Sequence, residues 1–282
     1  MKLLKFSAMG VLSLALSAGF ASCSDDDDNG GGFFPGDGTG VNAYINGVPS
    51  KIGDVALTTD AQGRVTEMKN SDDQCDVTIK YEPVSRATNF DGTMTIKDWD
   101  PTEDPIVFYF QLNDKGFIKY ALEIEGDQDQ EEWWFDYNAA GQLTYMKRTE
   151  GGNEVTNITY TNGDITSVKM RDEDGDGDDG DWTISYGATP IENKGCLMLF
   201  DETFGIDMDE MMYGYLAGLL GNATTNLPVK NVEVVTEIGY GTYTYTENYA
   251  WTINANGFPT MLTVTNPDYP SDTYNIPFAW AH

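Results

Sequence analysis

The stretch Trp133-Trp-Phe-Asp-Tyr137, followed by Asn138-Ala-Ala-Gly141 and Gln142-Leu-Thr-Tyr-Met-Lys147, decides the fold class. Two runs rich in aromatic and β-branched residues flank a short Asn/Gly segment, which is the make-up of a β-hairpin. The chain repeats it with Val155-Thr-Asn-Ile-Thr-Tyr160, the turn Asn162-Gly163, and Ile165-Thr-Ser-Val-Lys-Met170. Working outward, the tetrad Asx-x-x-Gly occurs at Asp60-Ala-Gln-Gly63, Asn113-Asp-Lys-Gly116, Asn138-Ala-Ala-Gly141 and Asn254-Ala-Asn-Gly257. An Asx side chain accepts from a backbone N–H two residues on. A Gly at the fourth place takes a left-handed conformation without a Cβ clash. Together they predict a type I turn closed by a bulge. Asn46-Gly47 and Asn162-Gly163 are the tighter two-residue form.

Alternation supports the same reading. Cys75, Val77, Ile79 and Tyr81 share one face against Asp76, Thr78 and Lys80. Ile118, Tyr120, Leu122 and Ile124 share a face against Lys119, Glu123 and Glu125, and Tyr243, Tyr245, Tyr249, Trp251 and Ile253 share another. A period of two with one polar face predicts half-buried antiparallel strands. From Val41 onward there are roughly sixteen such runs. Ile106-Val-Phe-Tyr-Phe110 is apolar on both faces, so both should be covered.

One segment differs. Asp207-Met-Asp-Glu-Met-Met-Tyr-Gly-Tyr-Leu-Ala-Gly-Leu-Leu-Gly221 predicts an amphipathic helix over 207–221, capped by Asp207 and Glu210 and ended by Gly221. Met208, Met212, Tyr215, Leu216 and Leu219 form its apolar stripe. Gly214 and Gly218, one turn apart, allow close approach to another backbone, but the segment is too short to span a bilayer. The expectation is an all-β domain over 41–282. It is a large curved or closed antiparallel β-meander, with this helix packed at its end or concave side.

Residues 1–22 read as a secretion signal, with Lys2 and Lys5 before an apolar run from Phe6 to Phe20. Phe20-Ala-Ser-Cys23 resembles the lipobox of bacterial lipoproteins, which implies lipidation of Cys23; Phe20 stands where that pattern usually has Leu. The alternative is a plain secreted protein with Cys23 in a disulfide. Ser24 followed by Asp25 to Asp28 resembles the acidic export tag of Bacteroidetes surface lipoproteins, and also suits a solvated tether. With the Gly-rich run to Gly40 it completes a tether over 23–40. These features imply a cell-envelope, outer-membrane lipoprotein exposed at the surface.

Two stretches, Phe135 to Thr144 and Asp60 to Thr66, resemble single YD (Rhs-type) repeats. The lipobox, the hairpins, the 207–221 segment and Asn226-Leu-Pro-Val229 together resemble a Bacteroidetes lipoprotein family of unknown function with a porin-like fold. That resemblance implies a barrel-type sheet and brings no catalytic residues. An integral barrel with lipid outside and water inside fits the same alternation. The anchor, the acidic tether, the short runs and the ending Phe278-Ala-Trp-Ala-His282 weigh against it.

Composition excludes some chemistry. With 46 acidic and 16 basic residues the net charge is −30, so nucleic acid is repelled. The single histidine, His282, rules out Ser-His-Asp and Cys-His nucleophile systems and His-based zinc sites. Cys75 and Cys196 suit either one disulfide or two buried free thiols. Asp172, Asp174, Asp176 and Asp178 open like a calcium loop, but Thr183 stands where such a loop needs a bidentate Glu. Calcium is thus the one cofactor to weigh, against a solvated hairpin tip.

Carboxylate pairs would serve a glycosidase, but so many acids make pairs inevitable. Trp133 and Trp134 face opposite ways, so one of them suits stacking on sugar. The leading expectation is a lipid-anchored, non-catalytic binding or scaffold module for an unknown protein, glycan or small apolar ligand. A carrier enclosing an apolar ligand in a β-cup is the alternative, and a glycan-binding protein or carboxylate-based glycosidase comes last.

Overall fold

The structure is a computed structural model. It describes residues 44, 47–82, 89–126, 129–149, 152–175, 177–198, 206 and 208–280. The signal, the tether and Asn46 lie outside them. The strands are β1 (Pro49–Ile52), β2 (Val55–Thr59), β3 (Val65–Asn70), β4 (Cys75–Lys80), β5 (Gly92–Asp98), β6 (Ile106–Leu112), β7 (Ile118–Glu125), β8 (Asp129–Tyr137) and β9 (Leu143–Arg148). They continue as β10 (Glu154–Thr161), β11 (Asp164–Asp172), β12 (Asp179–Ser185), β13 (Ile191–Glu192), β14 (Asn226–Leu227), β15 (Lys230–Glu237), β16 (Gly241–Ile253), β17 (Pro259–Thr265) and β18 (Tyr274–Trp280). All except β13 and β14 join one closed barrel of sixteen strands in chain order, and β1 and β18 close the seam with Ile52 opposite Phe278. Every ladder is antiparallel, so the reversals fall alternately on two rims.

The tetrad turns and Asn162-Gly163 all fall on one rim, here the upper rim. Each tetrad forms as expected. Asp60, Asn113, Asn138 and Asn254 accept from backbone N–H groups with their side-chain oxygens, and Gly63, Gly116, Gly141 and Gly257 have φ between +75° and +87°. Each hairpin then carries one unpaired residue: Thr66, Lys119, Thr144, Thr166 and Thr260 are skipped in the registers. The threonines return a hydroxyl bond to a carbonyl of the facing strand, as Thr144 Oγ1 does to Asp136 O at 3.2 Å and Thr260 Oγ1 to Thr252 O at 3.2 Å. The stretches Asp60 to Thr66 and Phe135 to Thr144 each contain this turn-and-bulge unit.

The bulge corrects one alternation. Skipping Lys119 shifts the rest of β7 by one residue, so Ile118 and Ala121 face inward while Tyr120 and Leu122 face outward. Glu123 therefore points into the barrel, only 6% exposed. In β16, Tyr249 is buried and Trp251 stacks on Phe278, but Tyr243 and Tyr245 stand exposed near the lower rim. The alternation of Cys75, Val77, Ile79 and Tyr81 holds, and all four are buried.

The expected helix is corrected too. A 3₁₀ turn, Asp209–Met211, leads into α1 (Met212–Leu216), and no side chain caps either. Asp207 lies outside the described residues. The helix stops because Gly218 has φ +76°, with Gly218 N–H donating to Tyr215 O and Leu219 N–H to Gly214 O, a Schellman cap three residues before Gly221. Nor is it amphipathic: Met211 and every residue from Tyr213 to Leu220 are buried. A helix buried all round is enclosed by other structure. Here the enclosure is the barrel lumen.

Gly221 serves a different end. Its φ is +98°, and a Cβ there would lie 2.7 Å from Gly141 O. Gly221→Ala should cost about 2–4 kcal/mol, since strain and clash add. Gly175→Ala, at φ +80° with open space around it, should cost about 1 kcal/mol. Denaturant midpoints of the two variants check this; equal losses would refute the close docking.

Candidate functional site

The chain between β12 and β15 leaves the upper rim, enters the lumen and returns to the upper rim. Its deepest described contacts lie near the lower rim. Tyr213 Oη donates to Asp73 Oδ2 at 3.1 Å, accepts from Asn70 Nδ2 at 2.9 Å, and sits 3.1 Å from Cys75 Sγ. Arg148, at the lower end of β9, bonds Asp209 and holds Glu154 at 3.1 and 3.2 Å. Tyr44 Oη donates to Leu216 O at 2.8 Å. On the way back the insertion seals the upper rim. Ile118 N–H donates to Leu219 O, Asn222 N–H to Gly141 O and Thr225 N–H to Gly163 O, and Asn226 bonds both oxygens of Asp164. Leu197, Met198, Ile206, Met208, Leu219 and Leu220 share one apolar cluster with the inward residues of the strands. The lumen is a packed core.

That core holds a pair of carboxyls. Glu123 and Glu131 face each other across β7 and β8. Trp133 Nε1 donates to Glu123 Oε2 at 2.8 Å, while Glu131 Oε2 is buried without a hydrogen-bond partner. Burial pushes Glu123 up to about 8, against the Trp133 bond, and neighbouring Glu131, Glu210 and Asp209 raise it further. Burial pushes Glu131 up to about 7, opposed by Arg148. A raised pKa here records a penalty on the charge.

The outer face offers a different surface. Phe90, Tyr109, Tyr120 and Trp134 form a continuous aromatic strip outside β6, β7 and β8. Ring centroids are 5.7 Å apart for Phe90 and Tyr109, 6.2 Å for Phe90 and Tyr120, and 5.8 Å for Tyr120 and Trp134. Tyr120 Oη donates to Glu132 Oε1 at 2.7 Å, which fixes its ring. Beside the strip runs an open groove of about 670 Å³, with Gln111, Lys119, Asp136 and Lys147 in its walls. This strip is what covers the outer side of the doubly apolar β6. Sequence reasoning placed Tyr120 inside; the displaced signal was Lys119, which occupies the bulge position that Thr holds in the sister hairpins.

Other expected sites resolve as follows. Cys23 and His282 lie outside the described residues. Cys75 and Cys196 are not joined to each other by a disulfide. Cys75 begins β4 at the lower rim, whereas Cys196 follows Gly195, whose Cα faces the Trp280 ring at the upper rim. Asp172 and Asp174 spend oxygens on neighbouring backbone and side chains: Asp174 N–H donates to Asp172 Oδ1 at 3.0 Å, and Asn153, between β9 and β10, donates to Asp174. Asp178 is exposed and Asp176 lies outside the described residues, among which no three acidic, cysteine or histidine side chains converge on a metal position. Trp133 is wholly buried and Trp134 faces out.

The buried carboxyls predict a pH dependence. Between its ordinary value of 4.5 and about 8, Glu123 keeps its proton in the folded barrel and loses it in the unfolded chain. The folded state then binds the extra proton, so stability falls as pH rises through that window. Glu123→Gln should flatten the fall, leaving the variant more stable than the parent at pH 8 by about 1–3 kcal/mol and little different at pH 5. Urea midpoints at the two pH values test it; parallel pH profiles would refute it.

Comparison with curated proteins gives no match. Among solved structures, a porin-like protein from Bacteroides uniformis is similar at a TM-score of 0.58 and 16% identity, covering 80% of this chain and 88% of its own. A porin-like protein from Bacteroides vulgatus is similar at a TM-score of 0.59 and 12% identity, covering 83% of this chain and 99% of its own. A family described as a domain of unknown function (DUF4595) with porin-like fold matches residues 57–261, well over half of the sequence. The chain belongs to that family.

Proposed function

We propose that this protein is a lipid-anchored module of the cell envelope that binds a partner on the outside of its barrel, and neither conducts nor catalyses. The observation carrying this reading is the lumen packed by the chain's own insertion. A pore needs water there, and a carrier needs room for cargo. The outer face supports a barrel bathed in water: Glu67, Lys69, Lys80, Lys97 and Lys169 project from it and are exposed. Charges on a lipid-facing surface cost several kcal/mol in total. Most of the strands also fall short of the roughly 9–11 residues a tilted membrane strand requires. Among the described residues no helix is long and apolar enough to cross a membrane, which says nothing of a β-barrel.

The address rests on sequence. Lys2, Lys5, the apolar run, Cys23 and Asp25 to Asp28 support an outer-membrane lipoprotein displayed at the surface. Glu123 is buried in the packed core and Glu131, opposite it, is half-buried with Oε2 enclosed, which speaks against a carboxylate glycosidase working there.

Cys23→Ser should move the protein from the membrane fraction to the aqueous fraction without detergent. The parent should give no ion conductance in planar bilayers, and native mass spectrometry should find no apolar cargo. A Cys23→Ser protein that still demands detergent, or stepwise conductance, would overturn the reading.

A further inference from the structure

We propose that the groove outside β6 to β9 is a saccharide site, in which Trp134 and Tyr120 stack on pyranose rings and Gln111, Lys119, Asp136 and Lys147 bond their hydroxyl and carboxylate groups. This deepens the binding reading above by naming its ligand.

Three observations carry it. First, four aromatic rings, Phe90, Tyr109, Tyr120 and Trp134, adjoin one another on the outer face. Their packing is not needed to fill the core, which the insertion completes from within. Second, the groove is amphipathic at short range. Gln111, Tyr120, Trp134 and Lys147 lie opposite one another across four strands, and Lys119 and Asp136 line the same groove. A pyranose has that same division, with an apolar C–H face and a rim of hydroxyls. A lipid tail would leave these polar groups unpaired, at a cost. Third, the rings are fixed in advance. The Tyr120 hydroxyl is tied to Glu132, and Lys147 is braced by Glu173 at 3.0 Å, so little side-chain freedom is lost on binding.

Charge narrows the class. The chain carries −30 overall, yet two lysines and one aspartate line this groove. Lys147 is paired with Glu173, so Lys119 is the cation that a carboxylate on the sugar would meet. The preferred ligand is therefore a glycan with uronate units, its carboxylate directed to Lys119.

The purified protein is probed on an array of neutral and uronate-bearing oligosaccharides, and the tightest ligand is then titrated calorimetrically. Binding is expected, weakened about tenfold or more by Trp134→Ala, and weakened by Lys119→Ala for uronate-bearing ligands only. Circular dichroism and an unchanged denaturant midpoint confirm that each variant folds. An array blank for both classes overturns the proposal, as does binding unaffected by Trp134→Ala. Sedimentation showing a dimer that Trp134→Ala dissociates also overturns it, because the strip is then a self-interface. None of these outcomes bears on membrane release of the Cys23→Ser protein, so the two readings fail separately.

Discussion

A sheet of sixteen strands closed on itself encloses more space than its own side chains fill. Eight strands suffice for side chains to meet across the axis; sixteen leave a channel unless something enters. The insertion between β12 and β15 meets that demand, and most other features follow from it. The helix is short because it fits a lumen, and buried all round because the wall surrounds it. The wall is apolar inside because it faces a protein core, the reverse of a water-filled barrel. Tyr213 touching Asn70 and Cys75 at one rim, and Asn222 and Asn226 sealing the other, hold the insertion at both ends.

The upper rim shows how the wall is bent to closure. Every register shift among the described strand pairs falls at this rim, including the one beside Pro49 at the seam. An unpaired residue bends its strand and adds local twist. A left-handed Gly, an Asx oxygen holding two N–H groups and a threonine bonding back across the ladder recur as one unit. Each such bond contributes about 1 kcal/mol net. The larger effect is on register, because one skipped residue exchanges inside for outside along the rest of a strand.

Legibility followed the range of the interactions. The turns at Asp60, Asn113, Asn138 and Asn254 are local, so the sequence carried them in full, and with them the antiparallel wall and its strand number. Trp133 and Trp134 were readable as opposites by parity alone. β7 was misread because the bulge holds Lys119, not Thr, and strict alternation was carried straight through it. That single shift hid the outward Tyr120 and the inward Glu123. The 207–221 stretch was misread for a different reason. Its apolar residues looked like a stripe because the enclosing wall is a long-range fact, and Gly218 and Gly221 compete locally as stops. The groove was unreadable, since its members come from four strands.

The seam has a consequence in time. Ile52 lies opposite Phe278, so the first strand of the wall waits for the strand Tyr274–Trp280 to be synthesised. Until Tyr274–Trp280 leaves the ribosome, the growing sheet has two raw edges, and the insertion has only a partial cylinder to occupy. Edges of that kind invite pairing with other chains, and ladders joined over such a separation assemble slowly. The acidic surface would hold neighbouring molecules apart while that ladder forms.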